Sequence, residues 1–327
     1  MKIAVSCGDV NGIGLEIFFK GLNNFIYNEN IEFNLFINSN SLNFWMKHQN
    51  IHFETVGESI IIKDYKIKIS ELESSYLPEV GLISSKSGSL AALSLDKAID
   101  SVISKDSDAL LTLPISKEAM YASGWKFAGH TECLAYRCGI SEPLMILFSD
   151  KIRAALATIH IPLSEVSRKI NKELILNKIK ALNNSLIKDF GINRPKTAIL
   201  GLNPHAGENG TIGREENEYI HPAINEAVSL GIRCSGVFPS DGFFAHSGYK
   251  DFDAYLAMYH DQGLIPLKLL AAGGGVNFTA GLPIVRTSPD HGSALNIAGN
   301  DKANPQSFVD SVIAAVEIVR NRNKLKR

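Results

Sequence analysis

Residues 154–205, AALATIHIPLSEVSRKINKELILNKIKALNNSLIKDFGINRPKTAILGLNPH, carry the pattern that decides the fold. An apolar run from Ala154 to Ile159 stops at His160 and reads as a buried strand. Leu174, Ile175, Ile179, Leu182 and Leu186 then recur at helical spacing and mark an amphipathic helix. A second apolar run, Thr197 to Leu202, leads into Asn203, Pro204 and His205. Alternation of this kind predicts an α/β chain with a mainly parallel sheet, helices on both faces, and ligands beyond the carboxyl ends of the strands.

The same rhythm extends outward. Near the start Ile3 and Val5 alternate, Gly8, Gly12 and Gly14 break the strand, and a helix follows from Glu16 to Leu22. Leu90, Leu93, Ile99, Val102 and Ile103 keep helical spacing before the apolar run Ala109 to Leu113, which ends at Pro114. No internal repeat or low-complexity linker interrupts the chain. The glycine stretch CGDVNGIGLE matches neither GxGxxG nor the P-loop pattern and reads as a strand-to-helix turn.

At 327 residues, with 45% hydrophobic and 20% charged, the chain is long enough for two globular units. A net charge of -1 with scattered Lys and Arg leaves no footprint for nucleic acid or an anionic membrane, so the expected partners are small molecules or a second copy. The opening MKIAVSCGDVNGIG lacks the features of a signal peptide and no stretch is expected to span a bilayer, which predicts a cytoplasmic address. Cys7, Cys133, Cys138 and Cys234 form no CxxC pair and read as inert thiols.

His160, His205 and His260 each follow an apolar run and stand in a polar turn: ATIHIPL, GLNPHAGENG and AMYHDQG. Three imidazoles reaching in from separate loops can hold a divalent cation and leave positions open for substrate. Taken singly, each could instead serve as a hydrogen-bonded structural histidine. His130 and Thr131 in GHTE, Lys268 in PLKLL, Asn277 in GGGVNFT and Arg286 in PIVRTSPDHG suit an anionic substrate, although Lys268 could equally be a solvated surface charge.

Taken together, GDVNGIGLE, TLPISKEAM, GHTE, GLNPHAGENG, FPSDGFF, YHDQGLIPLK and GLPIVRTSPDHGSALNIAG closely resemble the 4-hydroxythreonine-4-phosphate dehydrogenase family, in order and across the chain. The resemblance implies that His160, His205 and His260 hold one divalent cation, zinc, cobalt or magnesium. It implies that His130, Thr131, Lys268, Asn277 and Arg286 contact the substrate. The segment HGSALNIAGNDKANP is similar to the adenosine-binding loop of isocitrate and isopropylmalate dehydrogenases, which implies cofactor contacts from His291, Gly292, Ser293, Ala294, Asn296 and Asn304.

That kinship implies a two-domain isocitrate/isopropylmalate dehydrogenase-like α/β fold with the active site in the interdomain cleft, and a homodimer whose partner completes each site. Residues 1–125 with 270–327 would form the cofactor side and 126–269 the metal, substrate and dimerisation side. The implied reaction is NAD(P)-dependent oxidation of 4-phosphohydroxy-L-threonine, then decarboxylation, in pyridoxine 5'-phosphate biosynthesis. Asp241 or Asp261 would be the base, with Asp261 alternatively orienting His260. Rival readings are a sister dehydrogenase for a four-carbon sugar-acid phosphate or cyclic diol acid, and a non-catalytic metal- or phosphate-binding protein. Asn296 departs from the pattern, because related dehydrogenases carry Asp there to bond the ribose and repel the extra phosphate of NADP. NAD is therefore expected as the working cofactor with weakened discrimination against NADP, and Lys302 is the nearest cation for a 2′-phosphate.

Overall fold

The computed structural model describes residues 1–24 and 30–325. Among these, thirteen strands alternate with helices: β1 (Lys2–Ser6), β2 (Glu32–Ile37), β3 (Glu54–Val56), β4 (Ser59–Ile62), β5 (Tyr65–Glu71), β6 (Ala109–Thr112), β7 (Leu144–Phe148), β8 (Arg153–Leu156), β9 (Thr197–Leu200), β10 (Cys234–Phe238), β11 (Ala254–Ala257), β12 (Val276–Ala280) and β13 (Arg286–Pro289). The chain divides into two compact units, Met1–Ser141 with Leu282–Val319 and Glu142–Gly281 with Arg320–Arg327.

These boundaries differ from those read in the sequence. The helix His130–Cys138 belongs to the first unit and β12, which carries Asn277, to the second. For β12 the reason is pairing: it runs antiparallel to β7, with Asn277 opposite Leu147. A strand's partner is set by packing between distant segments, which local periodicity does not report.

In the first unit the sheet order is β13-β6-β1-β2-β5-β4-β3. From β13 to β5 the pairs are parallel, and a short antiparallel meander, β5-β4-β3, ends the sheet. Ile3, Ala4 and Val5 of β1 and all of β6 are buried, as strands covered on both faces require. By contrast, Tyr65 to Lys68 of β5 alternate buried and exposed. The helix Ser85–Ile103 buries Leu90, Leu95, Ile99 and Val102 and starts at Ser84, whose hydroxyl accepts from Lys86 N.

The second unit has the order β10-β9-β11-β8-β7-β12, with β10, β9, β11 and β8 parallel. Its helix Lys172–Lys188 buries Ile175, Ile179, Leu182 and Leu186 and is capped by Asn171, whose Oδ1 accepts from Leu174 N at 2.9 Å. Such a cap is worth about 1 kcal/mol. Leu156, Leu200, Tyr255, Ala257, Leu264 and Leu267 share one apolar core beneath the carboxyl ends of β8, β9 and β11. Sequence order runs β8, β9, β11, but spatial order is β9-β11-β8, so the three loops bearing the histidines are adjacent.

Candidate active site

His160 follows β8, His205 follows β9, and His260 opens the helix His260–Ala271 after β11. The His160 and His260 rings lie with centroids 6.0 Å apart, tilted 40° to each other, and together line a cavity of about 330 Å³ with Tyr259 and Asp261. His205 lines a second cavity, of about 320 Å³, with Asn203, Ser240, Asp241, Tyr259 and Gln262. Tyr259 borders both. Among the described residues, no three His, Cys, Asp or Glu side chains already stand together as a metal cage. The donor chemistry nonetheless fits a divalent cation: His260 Nδ1 is 2.7 Å from Asp261 Oδ1, a contact that orients the ring and would leave Nε2 as the nitrogen available to a cation.

The loops are held by a network laid across the strand ends. Ala157 N donates to Ala257 O and the Thr158 hydroxyl to Met258 O, joining the ends of β8 and β11. Buried Gln262 accepts from Met258 N at 2.6 Å and donates to Gly201 O at 2.6 Å and Ser240 Oγ at 2.7 Å. One amide therefore ties β11 to the loop after β9 and to the turn presenting Asp241. Gly263 packs closely next to it: a Cβ there would lie 2.7 Å from Leu156 Cδ2 and would force that side chain to shift. Lys268 is exposed two turns along this helix, and Asn277 Oδ1 on β12 is shielded from solvent without a hydrogen-bond partner.

In the first unit, His130 and Thr131 begin the helix His130–Cys138, whose N-cap is Gly129. Arg286 opens β13 and is 1% exposed; its Nε and Nη2 donate to Thr112 Oγ1 at 3.1 and 2.6 Å. Burial pushes its pKa down to about 10, opposed by the nearby Glu132 carboxylate, so the guanidinium stays charged at neutral pH. Burial, then the positive charges of Arg286 and Lys117, hold His130 well below the ordinary imidazole range. Its Nε2 is shielded and without a partner. A charged guanidinium beside a neutral imidazole, with the Lys117 charge acting on the same ring, is chemistry suited to an anion.

Residues 28–315 match the family model described as pyridoxal phosphate biosynthetic protein PdxA. This chain belongs to that family. The 4-hydroxythreonine-4-phosphate dehydrogenase of Sulfurihydrogenibium sp. (strain YO3AOP1) is 40% identical over 98% of this chain and 99% of its own length. A crystal structure of 4-hydroxythreonine-4-phosphate dehydrogenase from Klebsiella pneumoniae is 32% identical, covers 97% of this chain and 98% of that one, and has a TM-score of 0.84. Isocitrate dehydrogenase from Methylococcus capsulatus, at 13% identity over 99% of this chain and 87% of that one, has a TM-score of 0.53 and shares the fold alone. The expected family and fold class are thereby established.

In this PdxA-family chain the glycine turn after β1 is a packing surface for the segment 291–304. Ile13 N donates to Ser293 O at 2.9 Å, and a Cβ on Gly12 would lie 2.6 Å from that oxygen. Buried Glu16 accepts from Gly299 N and Ala303 N, and Lys20 bridges Glu16 to Asp301. Ala294 is left-handed at φ 41, Asn296 is exposed in the turn Leu295–Ile297, and Asn304 Oδ1 accepts from Gln306 N. The His291 Nε2 is shielded without a partner. Gly292 is exposed.

Burial raises the pKa of Cys7 to about 12 and those of Cys133 and Cys234 to about 11, and Cys138 is shifted the same way, so none offers a thiolate at neutral pH. Gln262, Asn203, Glu215 and Glu216 were missed as site residues. Gln262 sits inside the YHDQG block and Asn203 inside GLNPH, so their proximity to a histidine was the available signal.

Proposed function

We propose that this chain oxidises 4-phosphohydroxy-L-threonine with a nicotinamide dinucleotide to 2-amino-3-oxo-4-phosphooxybutanoate, which loses carbon dioxide to give 3-amino-2-oxopropyl phosphate for pyridoxine 5'-phosphate. The observation that carries this reading is the 40% identity across 98% of the chain with a relative named for that substrate. The buried Arg286 with the half-buried His130, a pair suited to an anion, agrees with it.

In this reading Arg286 grips phosphate or carboxylate with charge-assisted bonds, neutral His130 adds a hydrogen bond without charge, and Thr131, Lys268 and Asn277 orient the rest. His160, His205 and His260 would hold one divalent cation of the zinc, cobalt or magnesium type. Such a cation would supply Lewis acidity toward the substrate hydroxyl and the ketone, and a bound nicotinamide would supply the hydride acceptor. Asp241 in the cavity beside His205 takes the hydroxyl proton; Asp261 is engaged with His260 and orients it. Breaking the carbon–carbon bond then releases carbon dioxide, and its electron pair is kept on the keto carbon skeleton until a proton is added. The segment His291, Gly292, Ser293, Ala294, Asn296 and Asn304 would hold the adenosine.

Rates with NAD and NADP across 4-phosphohydroxythreonine, threonate and erythronate phosphates and a cyclic diol acid test this. The amino substrate should exceed the others by at least about 100-fold in kcat/KM, since an unpaired polar group in the site is costly. A faster sugar-acid phosphate would move the chain to a sister dehydrogenase, and no reduction with any of them to a binding protein. NAD should be preferred, and Asn296→Asp should widen that preference; an unchanged ratio would mean that Asn296 does not face the ribose.

The same reading includes a homodimer and a cytoplasmic address. Among the described residues no helix is long and apolar enough to cross a membrane. Ile265 and Leu269, one turn apart on the helix that starts at His260, are 59% and 78% exposed. A second copy would bury them beside the metal set. Sedimentation should give twice the chain's mass at working concentration, and a fully active monomer would overturn the assignment.

A further inference from the structure

The turn that carries His205 is strained. Residues His205, Ala206, Gly207, Glu208 and Asn209 all have positive φ, between 42 and 76°. Four of them are not glycine, and for such residues the Cβ crowds the following carbonyl oxygen in this conformation. A left-handed turn of this length persists only where its surroundings over-determine it.

The surroundings are two consecutive carboxylates. Glu216 is 1% exposed, and its Oε1 accepts from Leu202 N at 2.8 Å and Asn203 N at 2.7 Å. Its Oε2 accepts from Asn203 Nδ2 at 2.9 Å, and that same amide donates to Glu215 Oε2 at 2.8 Å. The other oxygen of Glu215 accepts from the Ser167 hydroxyl, on the helix Leu163–Lys169 that follows His160. Two glycines make room: a Cβ on Gly207 would lie 2.5 Å from Glu216 Oε2, and one on Gly213 would lie 2.2 Å from Asn203 Nδ2. The clasp therefore grips the chain immediately before His205 with one carboxylate and the helix after His160 with the other.

We propose that Glu216, with Asn203 and Glu215, is the positioning device that sets the His205 imidazole relative to His160 for cation binding. It rests on the three-imidazole reading above. Neither carboxylate is a ligand in this arrangement, because the oxygens that reach the loop are committed to its amides. Their effect on the cation passes through the His205 backbone.

Glu216→Gln keeps shape and one acceptor but sets a side-chain NH₂ against the Asn203 amide, donor facing donor. Titrating metal-free protein with cobalt(II), followed by its visible absorption, should show affinity weakened about 10–100-fold. The melting temperature of the metal-free variant should fall by less than about 4 °C. Were this variant not to fold, Asn203→Ala, which leaves the bonds from Leu202 N and Asn203 N to Glu216, should still weaken cobalt binding about 10-fold. His205→Ala is the control. If it binds cobalt as tightly as the parent, the three-imidazole reading fails and takes this inference with it. If His205→Ala loses cobalt while the clasp variant that folds binds within about threefold of the parent, short of the outer-shell effect, positioning is overturned and the imidazole reading stands.

Discussion

His260→Ala should abolish turnover, lowering kcat by at least about 1,000-fold, with the fold intact. A cation that stabilises developing charge contributes several kcal/mol, and each 1.36 kcal/mol is about tenfold in rate. The fold should survive because the His260 side chain is 41% exposed, while the helix it opens is anchored by Leu264 and Leu267 in the core. His160 and His205, both exposed at strand ends, should behave alike. Elemental analysis alongside a circular dichroism melt checks the claim. One full equivalent of metal retained by the triple alanine variant would sink it.

Arg286→Lys should lower kcat/KM by about 100-fold, mainly through KM. Removing one member of a buried, hydrogen-bonded charge pair costs about 2–5 kcal/mol, and lysine loses the fork but not the whole charge. The site shows why it cannot substitute: Nε and Nη2 both reach Thr112 Oγ1, so the planar group is fixed while an ammonium would make a single point contact. The pH dependence follows the sign of the shift. Arg286 is pushed down to about 10, so it stays cationic at neutral pH and substrate binding should weaken as pH rises through about 10. His130, held well below its ordinary range, stays neutral over the same span and should add no limb near the usual imidazole pKa. Kinetic constants equal to those of the parent would make Arg286 a structural arginine and remove it from the substrate set.

Local pattern was enough for several features. The apolar runs ending at His160 and His205 became β8 and β9, although those strands stop at Leu156 and Leu200 and the last residues turn into loop. The glycine stretch near the start reads as a turn, and it is one, packed against Ser293. What the residues within reach of one another along the chain can do, bury one face, cap a helix or make a turn, is written in their order.

The sequence by itself thus determined the α/β alternation, the placing of each candidate histidine just past a strand, and, through blocks spread over the whole chain, the family. Only the tertiary structure decided that β11 lies between β9 and β8, that β12 and Asn277 join the second unit, that Arg286 is buried on Thr112, and that Glu215 and Glu216 clasp the histidine loops. The physical reason is range. Periodicity reports which face of an element is buried, but strand order and the hydrogen bonds of buried polar groups are settled when segments far apart in the chain close over a common core.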